Sequence, residues 1–313
     1  MIQYLIIQLD DTSTSFCYYE NSGKARRLIA LDDLKAGIFF AMKENLSIQF
    51  VYPDYELPDE YKETIETIDH SKIVPVGCRE EADVIVFNDW NTFLSFQLAP
   101  GQTYVLRTSK KDFFDMYLSL DCILQKIYRL NVVFTDIDDF TDVDFTIYKQ
   151  VLQAISKMIS ACYAQGKNSQ LNLLTDRIML DRMNNCNAGW ESITLVPDGK
   201  FYVCPAFYLE GEETAIGDLK KGLDIKNAQL YRLDYAPLCR ICDAYQCKRC
   251  IYLNRKTTLE VNTPSHEQCV VSHLERNAAR ALLAVIRQSG STCMNNVEIK
   301  EITYLDPLDI IKK

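Results

Sequence analysis

The segment Cys239-Arg-Ile-Cys242-Asp-Ala-Tyr-Gln-Cys247-Lys-Arg-Cys250 places four thiols in twelve residues. Two Cys-x-x-Cys pairs this close put their sulfurs on one side of tight turns, where thiolates can wrap a metal ion or an iron–sulfur cluster. Zinc ribbons separate such pairs by about a dozen residues or more so that two knuckles can face each other. Here only four residues intervene. Four ligands from this loop on a single zinc would be cramped, so thiols shared between two sites suit the spacing better, with structural zinc as the alternative. A second element runs from Cys186 through twelve residues to Gly199 and four more to Cys204. Pro197-Asp198-Gly199 is turn chemistry, joining two short strands at Ser192–Val196 and Phe201–Val203. Such a hairpin would bring its two flanking cysteines together as half of a ligand set. Cys269 completes a group of seven.

The other five cysteines, Cys17, Cys78, Cys122, Cys162 and Cys293, stand singly among apolar neighbours and read as core residues. The start, Met1-Ile-Gln-Tyr-Leu-Ile-Ile7, has no basic flank and an apolar run of strand length, too short for a signal peptide or a membrane span. Twelve cysteines without a secretion signal point to a reducing, cytoplasmic setting in which thiols are ligands or buried residues rather than disulfides.

The elements that must position these thiols follow from periodicity. The first 175 residues alternate β-branched or aromatic runs with helical patterns, the signature of βα units and a mostly parallel sheet. Strands are expected near Tyr4–Leu9, Ile48–Val51, Val84–Phe87, Thr103–Leu106, Val132–Phe134 and Leu171–Leu174. One helix after Asp32 would bury Leu34, Ile38 and Met42 on one face, and another Ile147, Val151, Ile155, Met158, Ile159 and Cys162, stopping at Gly166. Ser109 followed by Asp112 resembles an N-cap leading into a stripe of Phe113, Met116, Tyr117, Leu120 and Leu124. From Asp181 cysteines and turn residues replace the long periodic segments, and Glu275 to Gln288 reads as a terminal helix closed by Gly290, before a strand and tail. The limits expected are therefore 1–180, 181–275 and 276–313.

Charge narrows the partners. With 34 basic and 43 acidic residues the net charge is −9, which repels a nucleic-acid backbone over most of the surface. No stretch is long enough to cross a bilayer. The eleven glycines are dispersed, no two closer than five positions, so no phosphate-cradling loop is present, and no Gly-x-Ser-x-Gly elbow occurs. Asp136, Asp138, Asp139, Asp142 and Asp144 follow a strand-like run and could hold a hard cation, although loops and helix caps collect aspartates without one. His266 and His273 flank Cys269 and read as surface or supporting residues more readily than as zinc ligands. Arg240, Lys248, Arg249, Arg255 and Lys256 surround the cysteine loop and would neutralise an anionic cluster, meet an acidic leader peptide, or form a solvated basic face.

The cysteine order resembles the SPASM domain, the auxiliary-cluster module that follows the catalytic barrel in radical SAM peptide-modifying enzymes. Its pattern is Cys, Gly, four residues, Cys, a gap, Cys-x2-Cys-x5-Cys-x3-Cys, a gap, and a last Cys. This chain has that order over residues 181 to 275, with two one-residue contractions, at Cys242 to Cys247 and at Cys247 to Cys250. Ile216-Gly217-Asp218-Leu219 is similar to the turn that follows the first hairpin in that family. The resemblance implies two [4Fe-4S] clusters, one on Cys239, Cys242, Cys247 and Cys269, the other on Cys186, Cys204 and Cys250 with one iron open.

Radical SAM enzymes hold their catalytic cluster by Cys-x3-Cys-x2-Cys after the first barrel strand. The corresponding stretch here, Asp10-Asp-Thr-Ser-Thr-Ser-Phe-Cys17, has one cysteine. The expected fold is thus α/β, a degenerate six-stranded (β/α) partial TIM-type barrel without that cluster and without S-adenosylmethionine, followed by the small cysteine-rich module. The whole chain resembles the CXXX repeat peptide maturases, through Leu9-Asp-Asp-Thr-Ser13, Phe50-Val-Tyr-Pro-Asp-Tyr55, Cys247-Lys-Arg-Cys250 and Asn262-Thr-Pro-Ser-His-Glu-Gln-Cys269. That resemblance implies maturation of a cysteine-rich precursor peptide beside a separate radical SAM enzyme. A peptide-binding scaffold stapled by zinc or clusters, or an electron carrier, are the alternatives.

Overall fold

The computed structural model describes residues 2–21, 25–288 and 299. In chain order these form β1 (Tyr4–Gln8), α1 (Leu31–Glu44), β2 (Ser47–Val51), α2 (Asp59–Ile65), β3 (His70–Pro75), β4 (Val84–Phe87), α3 (Trp90–Ser95), β5 (Thr103–Thr108), α4 (Lys110–Met116) and α5 (Leu120–Leu124). There follow β6 (Arg129–Phe134), α6 (Asp142–Ala164), β7 (Gln170–Leu171), α7 (Thr175–Met179), β8 (Ser192–Leu195), β9 (Lys200–Tyr202), α8 (Pro205–Glu210), β10 (Gly217–Asp218), β11 (Gly222–Leu223), α9 (Ile251–Thr258) and α10 (His266–Gln288). They fall into two units, each built from two stretches of chain: residues up to Phe87 with Asn187–Ala236, and Asn88–Cys186 with the described residues from Pro237 on. The chain changes unit at Cys186 and again at Ala236, so these units do not themselves decide the limits 1–180, 181–275 and 276–313.

In the first unit the strand order is β11-β10-β9-β8-β1-β2-β3-β4. β1 is central: Leu5, Ile6 and Ile7 are buried on both faces, as a parallel strand covered on two sides requires, and it pairs in parallel with β2 and β8. Beyond β8 the pairing turns antiparallel through β9, β10 and β11. α1 buries Leu34, Gly37, Ile38 and Ala41 and ends at Asn45, whose left-handed backbone suits an Asn C-cap. Met42, expected on the buried face, is 62% exposed because the helix turns Ala41 inward instead. β3 was not expected: its first half is His70, Ser71 and Lys72, with Lys72 paired to Glu66, and only Ile73 and Val74 are buried.

In the second unit β5, β6 and β7 run parallel. The expected strand over Leu171–Leu174 shortens to Gln170–Leu171, because the Thr175 hydroxyl bonds both backbone groups of Leu171 and curls the chain away. The Ser109 cap forms, its hydroxyl accepting the Asp112 N–H, but the following stripe breaks into α4 and α5; Phe113, Leu120 and Leu124 are buried while Met116 and Tyr117 are half-buried. α6 opens with a capping box between Thr141 and Asp144 and buries Val151, Ile155, Ile159 and Cys162, with Met158 half-buried and Ile147 partly exposed. Gly166 follows its end with a positive φ. α10 starts nine residues before the expected Glu275, at His266, and packs along α6. Gly290 and the expected final strand lie outside the described residues.

Candidate metal centre

The cysteine loop belongs to the second unit and is shaped by short backbone turns. Cys242 N–H donates to the Cys239 carbonyl at 3.1 Å and Cys247 N–H to that of Ala244 at 2.9 Å. Three sulfurs then accept a backbone N–H from two or three residues ahead: Cys242 from Ala244 at 3.4 Å, Cys247 from Arg249 at 3.4 Å and Cys250 from Leu253 at 3.5 Å. Hydrogen bonds of this kind stabilise thiolates bound to iron. Cys250 is also the N-cap of α9, where the helix end favours negative charge.

Buried ion pairs fix the loop from beneath. Asp243 is wholly buried and meets three guanidiniums: Arg177 at 3.4 Å, Arg276 at 3.2 Å and Arg280. Arg177 Nε also donates to the Asp243 carbonyl at 3.1 Å. The next residues join the same scaffold. Gln246 donates to Glu275 at 3.2 Å and Tyr148 donates to that carboxylate at 2.7 Å, tying the loop to α6 and α10.

Two of the remaining ligand candidates, Cys186 and Cys269, lie in the same unit as this loop. Cys186 N–H donates to the Lys248 carbonyl at 3.2 Å, while the neighbouring Asn185 accepts from Arg249 Nε at 2.6 Å. The chain end carrying Cys186 therefore lies against Cys247-Lys248-Arg249-Cys250. The Arg249 guanidinium, with no exposed surface, feels the charges of Cys239, Cys186, Cys247 and Cys250. Cys269 lies in the first turn of α10, one helical turn before His273, so both occupy one helix face. His273 Nε2 is 3.5 Å from Cys242 Sγ, which brings this histidine to the thiol group itself. His266 instead lies with its ring against Phe145.

Burial sets the protonation of these groups. Loss of water pushes the Cys239 thiol up to about 12, with Cys247 adding to the effect, and the Cys247 thiol up to about 11. Both are neutral at physiological pH until a metal displaces their protons. The same burial lowers the Arg249 pKa against the pull of the four thiols. Among the described residues no three Cys, His, Asp or Glu side chains already stand close enough together to hold an ion. The donor set nonetheless fits a thiolate-ligated group in kind: several thiols on one loop, N–H donors aimed at three sulfurs, and a buried cation among four of them.

Cys204 belongs to the first unit, at the far end of the expected hairpin. β8 and β9 pair antiparallel around Gly199, whose φ is +76°, and Cys204 then stands at the N-cap position of α8, before Pro205, without a side-chain cap bond. The Ile216-Gly217-Asp218-Leu219 turn continues the sheet as β10. Gly217 has φ +137°, and a Cβ there would fall 2.1 Å from the Gly222 carbonyl oxygen, so only glycine fits.

The end of β1 carries a second polar cluster, whose extent sequence reasoning missed. Asp10 and Asp11 are buried. Asp10 accepts from Tyr55 at 2.7 Å and from Thr12, and Asp11 accepts from Tyr208 at 2.6 Å and pairs with Arg27 at 2.9 Å. Burial and these carboxylates push both tyrosines well above their usual range. The only signal was position, two acids just after the first strand. The aspartates after β6 resolve as caps and ion pairs: Asp144 caps α6 and pairs with Lys110, Asp138 pairs with Lys256, and Asp136 accepts the Lys110 N–H. Of the five scattered cysteines, Cys162 is buried, Cys17 and Cys78 are half-buried, and Cys122 is exposed, contrary to its expected place in the core; Cys293 lies outside the described residues.

Comparison with solved structures places this architecture. The chain is similar to native anSMEcpe with bound AdoMet and Cp18Cys peptide, with a TM-score of 0.62 at 10% identity over 92% of this chain and 100% of that one. It is likewise similar to native anSMEcpe with bound AdoMet and Kp18Cys peptide, with a TM-score of 0.59 at 9% identity over 91% and 99%. The shared fold is a mixed α/β one with a large parallel sheet. At these identities the likeness is one of fold. No protein-family model and no curated protein matches the chain. Among the described residues, no helix is long and apolar enough to cross a membrane.

Proposed function

We propose that this chain is an iron–sulfur protein of peptide maturation, built as a partial barrel followed by a SPASM-like module. The observation that carries the reading is the second unit's thiol group, with N–H donors on three sulfurs and Arg249 among four thiols. Cys239, Cys242, Cys247 and Cys269 would hold one [4Fe-4S] cluster, and Cys186, Cys204 and Cys250 the other. Bound clusters supply electron capacity and an iron open to a substrate thiol. The protein's own residues do the rest. Ala244, Arg249 and Leu253 orient the sulfurs, the Asp243 arginines hold the loop, and α10 carries Cys269 and His273 beside it.

The substrate class follows from fold and ligand chemistry together. The two similar structures hold Cp18Cys and Kp18Cys peptides, which supports a peptide as the ligand of this fold. A cysteine-rich precursor suits an open iron, because a metal lowers the pKa of a thiol that reaches it. AdoMet cleavage falls to a separate radical SAM enzyme in this reading. A zinc-stapled scaffold is the second reading, favoured by His273 beside Cys242.

The test is a titration of anaerobically purified protein with a synthetic peptide bearing cysteine at every fourth position, against its serine counterpart. Saturable binding that perturbs the charge-transfer absorption with the cysteine peptide alone is expected. Equal behaviour of the two peptides, or binding of neither, overturns the reading.

A further inference from the structure

Among the five basic residues around the cysteine loop, Arg249 alone is turned inward. Arg240 and Lys256 are exposed and Lys248 and Arg255 half-buried, whereas Arg249 has no exposed surface. Its own backbone explains the direction. With φ at +21° and its N–H on Cys247 Sγ, the turn between Cys247 and Cys250 points the side chain under the loop. Asn185, itself buried, then holds Nε at 2.6 Å.

A buried guanidinium is costly unless an anion compensates it. The thiols nearest it in the chain are those of its own turn, Cys247, whose Sγ accepts the Arg249 N–H, and Cys250, the next residue, with Cys239 and Cys186 also within electrostatic reach. They become anionic when a metal binds, and a thiolate-ligated iron–sulfur cluster gains a further negative charge on reduction. A fixed cation at this position therefore favours the loaded state over the empty one and the reduced cluster over the oxidised one. The four thiols also come from both proposed ligand sets, so one guanidinium serves both.

The geometry points to Arg249, held by Asn185, as a positioning cation shared by the two cluster sites, raising their reduction potentials. The inference rests on the iron–sulfur reading above.

The experiment is a dithionite titration with redox mediators, followed by electron paramagnetic resonance, on the full chain purified without oxygen. Wild type, Arg249→Lys and Arg249→Met are compared, with iron and sulfide measured in each. Arg249→Met is expected to lower the ratio of reduced to oxidised cluster at fixed potential at least tenfold, about 59 mV for one electron. Arg249→Lys should stay within about threefold of wild type. Should Arg249→Met hold no iron, a full complement and near-wild-type potential in Arg249→Lys still support the charge requirement. An iron-replete Arg249→Met at the wild-type potential, or a lysine variant shifted or depleted as far as methionine, overturns the inference and leaves the cluster reading standing. A wild-type protein without iron overturns both.

Discussion

Replacing Asp243 by Asn keeps the size of the side chain and removes a charge that faces Arg177, Arg276 and Arg280. Arg177 and Arg276 are 0% and 3% exposed at their side chains, so neither can exchange the lost partner for water. A hydrogen bond to a charged group contributes roughly 1.5–3 kcal/mol, and uncoupling a buried pair costs about 3–5 kcal/mol. The two buried arginines set that scale. Arg280, 32% exposed, adds less than about 1 kcal/mol after solvent screening. Asp243→Asn should therefore lose about 3–5 kcal/mol in urea unfolding of the metal-free chain followed by circular dichroism. Against a typical stability of about 5–15 kcal/mol this is a large share. The double variant Asp243→Asn with Arg276→Met should recover part of the loss, because one buried cation is removed together with its anion. A loss below about 1 kcal/mol, or strictly additive losses in the double variant, would refute the view that this aspartate fixes the loop.

Two further predictions concern the frame around the site. Burial raises the Glu275 carboxyl from its ordinary 4.5 to about 7, against the bonds from Tyr148 and Gln246. The native state thus keeps a proton that the unfolded chain releases, so stability falls as pH rises from about 4.5 to 7, by roughly 3 kcal/mol in all. Urea midpoints of Glu275→Gln at pH 5 and pH 7.5 should lack that decline, and slopes parallel to wild type would contradict it. In the β10–β11 turn, Gly217→Ala should lose roughly 2–4 kcal/mol, since its Cβ meets the Gly222 carbonyl. Gly222→Ala meets open space and should lose only about 1–2 kcal/mol of backbone strain, so the reverse order in thermal unfolding would count against the turn geometry.

The parallel strands were legible where apolar runs are continuous, as in Leu5-Ile6-Ile7, because strands covered on both faces bury every residue. β3 was illegible for the opposite reason: its polar first half is partly covered and its lysine is neutralised by Glu66 across the surface. α10 was recognised only from Glu275 onward, since Ser265-His266-Glu267-Gln268 looks like a loop until the helix buries Gln268, Val270 and Val271. The spacing of the thiols marks them as candidates without the fold. It does not show which charges stand under them, because Arg177, Asp243 and Arg276 are far apart in sequence and look like ordinary surface residues.

The central claim is that the thiols hold iron–sulfur clusters, and metal analysis tests it most directly. Iron, sulfide and zinc are measured with an absorption spectrum on protein purified without oxygen, for wild type, Cys239→Ala and Cys186→Ala. Two cysteine-ligated clusters predict about eight irons and broad charge-transfer absorption, each variant losing roughly half. One or two zincs in a colourless protein, unchanged in iron between variants, would contradict the account.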